Sequence, residues 1–424
     1  MDLFSAYTEI LREELKPAMG CTEPIAIAYA SSILRHAMGK VPSSARILLS
    51  GNIIKNVKSV IVPATGGMHG IEAAVAAGMV SGKPDQQLQV LAALTPSDIP
   101  AIKDALQTCA ITVAELETDK PFEVRIEGES GKDRVLVHLA DRHTHVVGVF
   151  RNGEDLTASY QNERVSEEKD HANRALLNVR DIVTYAKEVP LDEVAPMILH
   201  QAKLNYAIAE EGVRGNYGAS IGKILYRDGS CSVKDRARAL AAAGSDARMS
   251  GCEMAVCILS GSGNQGICAS VPVIAYAKEK NATEEELVRA LLVANLITIH
   301  QKTGIGCLSA YCGAISAGCG CATGICFLHG GDFYEIAHTL VNAVAILSGT
   351  ICDGSKPSCA AKIAMAVEAG ILGYEMTLAG KQFYSGDGII TKGVENTIRN
   401  VGRLARDGMS ETDREIIKMM LETK

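Results

Sequence analysis

The chain is 424 residues long and 47% hydrophobic, enough to bury one large core or two ordinary ones, so two structural units are expected. A net charge of -7 with no long basic run argues against a nucleic-acid partner, and 4% aromatic residues with no Trp leave no stacking platform for bases. Thirteen cysteines, an odd number, follow a charged N-terminal segment without an apolar signal core, which speaks for a reducing cytoplasm over a secreted disulfide framework.

Residues 2–40 read as two helices interrupted at Met19-Gly20-Cys21-Thr22-Glu23-Pro24. Apolar residues recur at helical spacing in Leu3, Tyr7, Ile10 and Leu11, then in Ile25, Ile27, Ile33 and Leu34. Thr22 is a candidate N-cap with Glu23 and Pro24 in the first turn, which puts Cys21 at the amino end of a helix. The positive helix end is expected to lower the thiol's pKa and favour the thiolate, with Glu23 opposing it. Simple packing of a buried cysteine is the competing reading.

Between residues 45 and 150 the pattern changes. The runs ARILLSG, VKSVIVPA, QLQVLAAL, FEVRIEG, RVLVHLA and HTHVVGVF read as strands, and they alternate with helix-like segments near Ile71–Gly78 and Pro96–Thr108. The expectation is an α+β fold: a large, mostly helical domain of residues 1–44 and 151–424, with a smaller inserted α/β domain, 45–150, containing a mixed sheet. At Pro63–Gly70 a strand is expected to pass through glycines into a helix. Backbone N–H groups at Thr65, Gly66 and Gly67 could cradle an amino acid's carboxylate, though a plain connection explains the glycines equally well. Neither phosphate-loop spacing is present. His143 and His145 alternate on one strand face and could reach a site or bind metal; without a third ligand at useful spacing a structural or surface role is expected.

Residues 151–173 read as a polar linker, and helical periodicity dominates from Asn178 to the C-terminus, with breaks at 227–230, 244–250, 330–332 and 385–387. SGSGNQG from Ser260 is a second glycine-rich approach to a helix. Here Ser262, Asn264 and Gln265 add side-chain partners for a carboxylate or ammonium, while small residues also suit close packing. Residues 410–424 read as an amphipathic surface helix.

The chemistry gathers between Gly304 and Ala361. Thiolates hold iron-sulfur clusters, and Cys312, Cys352 and Cys359 are the chosen trio because Asp-Gly-Ser-Lys-Pro-Ser can turn the last two toward one point. Three ligands would leave one iron open as a Lewis acid. Cys319 is a fallback ligand; otherwise it, Cys307, Cys321 and Cys326 are assigned to packing, since free cysteine behaves as a small hydrophobe. The charge-free stretch 303–328 passes the length test for a membrane span. Its Gly, Ala, Ser and Cys content, without companion spans, points instead to a helix buried on all sides of a bundle.

With GCTEP from Gly20, SGSGNQG from Ser260, LSAYCG from Leu308 and CDGSKPSC from Cys352, the chain resembles the L-cysteine desulfidase family over essentially its whole length. That family is related to the iron-sulfur L-serine dehydratases. The resemblance implies an oxygen-sensitive 4Fe-4S cluster on Cys312, Cys352 and Cys359, and a proton-handling cysteine at Cys21. It implies β-elimination from L-cysteine to hydrogen sulfide, pyruvate and ammonia. The longer interval between the last two ligands and the Ser-Ser-Ser-His-Thr segment of the serine dehydratases are both absent, which favours the desulfidase branch. Rival readings are L-serine dehydration by the same machinery, a pyridoxal-phosphate lyase using Lys356, and a non-enzymatic cluster carrier or redox sensor. The expected partner is a small amino acid substrate, with no nucleic acid and no membrane. A homodimer is expected because a glycine-rich helical core often continues into an interface.

Overall fold

A computed structural model describes residues 2–161, 172–226, 231–306 and 308–422. Cys307, the break expected at 227–230 and residues 162–171 of the expected linker lie outside the described residues.

The first helix, α1 (Leu3–Glu14), starts where the Asp2 carboxylate accepts from the Ser5 N–H. A short strand β1 (Pro17–Met19) leads into α2 (Thr22–Met38), which is buried almost all round. The next strand and helices are β2 (Ser44–Leu49), α3 (Gly51–Val57), α4 (Ile71–Ser81) and α5 (Ile99–Thr108). Strands β3 (Ala110–Glu115), β4 (Glu123–Ser130), β5 (Asp133–Ala140), β6 (Val146–Arg151) and β7 (Glu154–Asp155) complete a six-stranded sheet of order β3-β2-β4-β5-β6-β7. Only β2 and β3 run parallel, so the sheet is mixed, as expected. Leu34 of α2 packs against Gly128 of β4, where a Cβ would lie 2.9 Å from its nearest methyl; this seats α2 on the sheet.

Two expected strands are absent. Residues 57–64 begin in the last turn of α3 and make a single bridge, Ile61 to His69, while residues 87–94 form 3-10 turns and loop. Val57, Val60, Val62, Val90 and Leu91 are nevertheless buried. A short apolar run signals burial before it signals pairing, and here loop backbone brings it to the core. His143 and His145 sit in the turn before β6 and not on the strand.

The helical body comprises α6 (Val179–Glu188), α7 (Leu191–Arg214), α8 (Ile221–Leu225), α9 (Val233–Met249), α10 (Gly263–Lys280), α11 (Glu284–Ile305), α12 (Gly313–Leu328), α13 (Phe333–Ile346), α14 (Cys359–Leu378), α15 (Val394–Arg403) and α16 (Ser410–Glu422). Between α9 and α10, β8 (Ala255–Cys257) pairs antiparallel with β1 and ties the N-terminal region to the body. At the centre lies α12, packed on α10, α11, α13 and α14. Its small residues have a mechanical reason. A Cβ on Gly318 would lie 2.4 Å from the Ala366 carbonyl oxygen, one on Gly370 would lie 2.3 Å from the Gly318 carbonyl oxygen, and one on Gly320 would lie 2.5 Å from the Ala294 carbonyl oxygen. These crossings bring backbones together, which larger side chains would forbid. Within the charge-free stretch 303–328, α12 is the buried helix expected, while 303–305 close α11, and among the described residues no helix is long and apolar enough to cross a membrane.

Candidate active site

Four helices point their amino ends at one cavity of about 100 Å³. Glu23 comes from α2, Ser262, Asn264 and Gln265 from the start of α10, Cys312 and Gly313 from the start of α12, and Cys359 and Lys362 from the start of α14. None of the four helices has a side-chain cap bond. Uncapped amino ends leave N–H groups and positive dipole ends available to an anion.

The thiols are placed by backbone. Cys312 is the N-cap of α12 and its N–H donates to the Thr350 carbonyl at 3.1 Å, while the Cys352 N–H donates to the Ala310 carbonyl at 2.6 Å. Cys359 opens α14 after the Lys356-Pro357 turn. All three line the cavity. The Cys312 thiol beside it lowers the Cys352 pKa to about 6 against the effect of burial, and the Lys55 ammonium adds to the lowering. The same contact with Cys352, then burial, raises Cys312, while burial raises Cys359. Lys55 is held in place by Asp413 of α16 at 2.5 Å, and its ammonium also donates to the Cys352 carbonyl at 3.4 Å.

Cys21 departs from expectation. It is itself the N-cap of α2, with Thr22 in the first turn, and it is 1% exposed. Its Sγ donates to Glu23 Oε2 at 3.1 Å and lies 3.5 Å from Ser355 Oγ. Burial, reinforced by the Glu23 charge, pushes the thiol up to about 12, so the expected thiolate is a thiol. A helix end favours a thiolate only where water or a cation helps; here desolvation and an adjacent carboxylate outweigh it.

Glu23 is the anion of this pair. Burial pushes its carboxyl up, but His143, the Cys21 thiol and Arg248 outweigh that and hold it below the ordinary value. Oε2 accepts from Cys21 and from Thr22 Oγ1 at 3.0 Å, and Oε1 accepts from Asn56 Nδ2 at 3.1 Å. Arg248, 2% exposed, stands behind the cavity wall and donates from Nη1 to Asn264 Oδ1 at 3.1 Å. Gln265 Oε1 and His143 Nε2 are buried without a hydrogen-bond partner.

Ser262, Asn264 and Gln265 therefore meet Cys312, Cys352 and Cys359 on one cavity, with Cys21 behind Glu23. Thr65, Gly66 and Gly67 do not join them. The Thr65 hydroxyl is turned inward onto the Val62 carbonyl at 2.7 Å, and Gly66 and Gly67 are exposed in the same turn. Cys319 is buried within α12 and lines no part of the cavity. Missing from the expected set are Glu23, His143, Arg248, Lys302 and Lys362. Glu23 carried a signal in its place beside Cys21 in GCTEP, and His143 a weaker one in its alternation with His145; Arg248, Lys302 and Lys362 are charged residues on helices with no distinguishing spacing.

Among the described residues no three His, Cys, Asp or Glu side chains close on a single metal ion. Three thiols around a cavity, one of them with its pKa lowered beside cations and helix ends, suit a cluster that takes its ligands on separate irons.

Fold and cavity together define an α+β protein that holds a thiol-lined chamber of small-molecule size. Its sequence matches the family described as serine dehydratase alpha chain over residues 85–418. The chain belongs to that family, which makes it a lyase-type enzyme. It is 51% identical over 424 residues to a UPF0597 protein of Desulfitobacterium hafniense, with 99% of this chain and 97% of the relative covered. A UPF0597 protein of Treponema denticola is 43% identical, covering 98% and 97%, and one of Lachnoclostridium phytofermentans is 43% identical, covering 99% and 100%.

Proposed function

We propose that this protein is an L-cysteine desulfidase. The reading is carried by Cys312, Cys352 and Cys359 meeting on one cavity beside the uncapped ends of α10 and α12. These thiols would hold a 4Fe-4S cluster. When bound, a cluster with three protein ligands supplies an open iron as a Lewis acid.

The chain's own residues do the rest. The substrate carboxylate is held by the amino end of α10, by Ser262 and Asn264, and by the cations Lys302 and Lys362 on the wall. Gln265 Oε1, buried and unpartnered, accepts from the substrate ammonium. The Cα proton goes to the Glu23–Cys21 pair, in which Glu23 is the ionised member at the cavity wall and Cys21 donates to it. The electron pair of the Cα–H bond becomes the Cα=Cβ bond, and the Cβ–S pair leaves with sulfur, which is protonated to hydrogen sulfide. Aminoacrylate then takes up water and yields pyruvate and ammonia.

L-serine dehydration by the same residues is the second reading, favoured by the family's description. Purification without oxygen, followed by iron and acid-labile sulfide analysis and a paired L-cysteine and L-serine assay, separates the two. Sulfide release from L-cysteine faster than pyruvate release from L-serine is expected. Replacing Cys312, Cys352 or Cys359 singly with Ser should abolish iron retention, whereas Cys21→Ala, which removes the donor to Glu23, should keep iron and lower turnover. Protein free of labile sulfide that still degrades L-cysteine overturns the proposal. We place the enzyme in a reducing cytoplasm, in keeping with the free thiols of its described cysteines, and as a homodimer, which light scattering decides.

A further inference from the structure

The thiol-lined cavity is lined by buried and half-buried residues, with Cys312 among the buried ones. A second cavity of about 360 Å³ adjoins it, between the end of α1, the turn before β6 and the last turns of α11. The two share His143, Ser260, Gly261, Lys302 and Leu308. Unlike the inner space, the outer one is lined in part by exposed residues, among them Lys16, Asp141, Arg142 and Thr303.

We propose that the outer cavity is the access vestibule of the active site, that its rim draws in a carboxylate, and that the five shared residues form the neck. The neck is a built feature. Leu259 and Ser262 exchange backbone hydrogen bonds across Ser260 and Gly261, whose φ values of 47° and 75° give a tight two-residue turn. His143 packs over that turn, since a Cβ on Gly261 would lie 3.4 Å from its Cε1, and its ring rests on Phe122 with centroids 4.7 Å apart. The rim has a charge bias. Arg174 is engaged with Glu13 at 2.9 Å and Glu14 at 2.6 Å, and Asp141 with Lys120 at 2.8 Å. Arg142 also acts on Glu13, and the lining as a whole sets four cations, Lys16, Arg142, Arg174 and Lys302, against three carboxylates, Glu13, Glu14 and Asp141, a positive balance that can steer an anion.

The inference deepens the reading of the inner cavity as an amino acid site, but its test does not depend on turnover. Cluster-free full-length protein is alkylated with iodoacetamide, which is neutral, and with iodoacetate, which carries a carboxylate. Labelling rates at Cys312, Cys352 and Cys359 are read by peptide mass spectrometry, with half-buried Cys231, which lines neither cavity, as internal control. Thr303→Trp and Thr144→Trp narrow the vestibule and should each slow both reagents about tenfold at buried Cys312, leaving Cys231 unchanged. Arg142→Glu should lower the iodoacetate-to-iodoacetamide ratio about threefold or more. Undiminished labelling of Cys312 in a folded Trp variant overturns the route; should one variant fail to fold, the other decides. An unchanged ratio in Arg142→Glu overturns the role of the rim. Protein that turns over no amino acid but gives the expected labelling would sink the proposed function and leave the vestibule standing.

Discussion

Glu23 is a buried carboxylate that accepts from three donors, lies beside His143 and Arg248, and lines the cavity in front of Cys21. Glu23→Gln keeps the shape and removes the charge, so turnover should be lost while iron is retained, measured by sulfide release and metal analysis. Stability should fall by about 1–3 kcal/mol at neutral pH, because hydrogen bonds to a buried charge are replaced by mismatched ones. The pH dependence has a definite sign. The folded-state pKa of Glu23 lies below the ordinary 4.5, so its contribution is fully present above that value and is lost as pH falls through the folded pKa. Denaturant unfolding of wild type and Glu23→Gln should differ at pH 7 and converge in acid below about pH 4.5. GCTEP marked this place in the sequence, but which of its two titratable side chains is ionised depended on burial and on His143 and Arg248, which lie far off along the chain.

At the scale of elements, the two helices that begin at Cys312 and Cys359 are held together a turn or more beyond those thiols, where Gly318 and Gly370 let α12 and α14 touch backbone to backbone. Gly370→Ala should force them apart at a cost of about 1–3 kcal/mol, as overpacking of a tight core does. Iron retention should fall with it, whereas Ala379→Gly, at the exposed end of α14, should leave iron retention unchanged. The last helix has a comparable role. Lys55 is 2% exposed and pairs with Asp413 of α16, so Asp413→Ala strands a buried ammonium and should destabilise by about 3 kcal/mol or more, read from denaturant midpoints. The periodic helices and the antiparallel strands β4, β5 and β6 were legible because alternation and helical spacing are local. Residues 57–64 and 87–94 were misread as strands because an apolar run reports that a segment is buried, not how its backbone runs.

For the whole molecule, one apolar core runs from Tyr7 to Ala405 and joins the sheet to the helical body. A group held at once by Cys312, Cys352 and Cys359 would tie α12, the 350–358 loop and α14 to that core. Protein loaded with the cluster should therefore melt at a higher temperature than the cluster-free form, by calorimetry under nitrogen, since a ligand that binds only the folded state stabilises it. Equal melting temperatures would count against the three-thiol assignment. The sequence by itself determined the α+β composition, the central charge-free helix, the family, and the short motifs around the cysteines, because periodicity, composition and local turns are properties of neighbouring residues. Only the tertiary structure decided that four helix ends face one chamber, that burial raises Cys21 while its neighbours hold Glu23 down, that Thr65, Gly66 and Gly67 stand apart, and that a second cavity adjoins the first. Each of these depends on burial or on approach between residues remote in the chain, and neither quantity is written in local spacing.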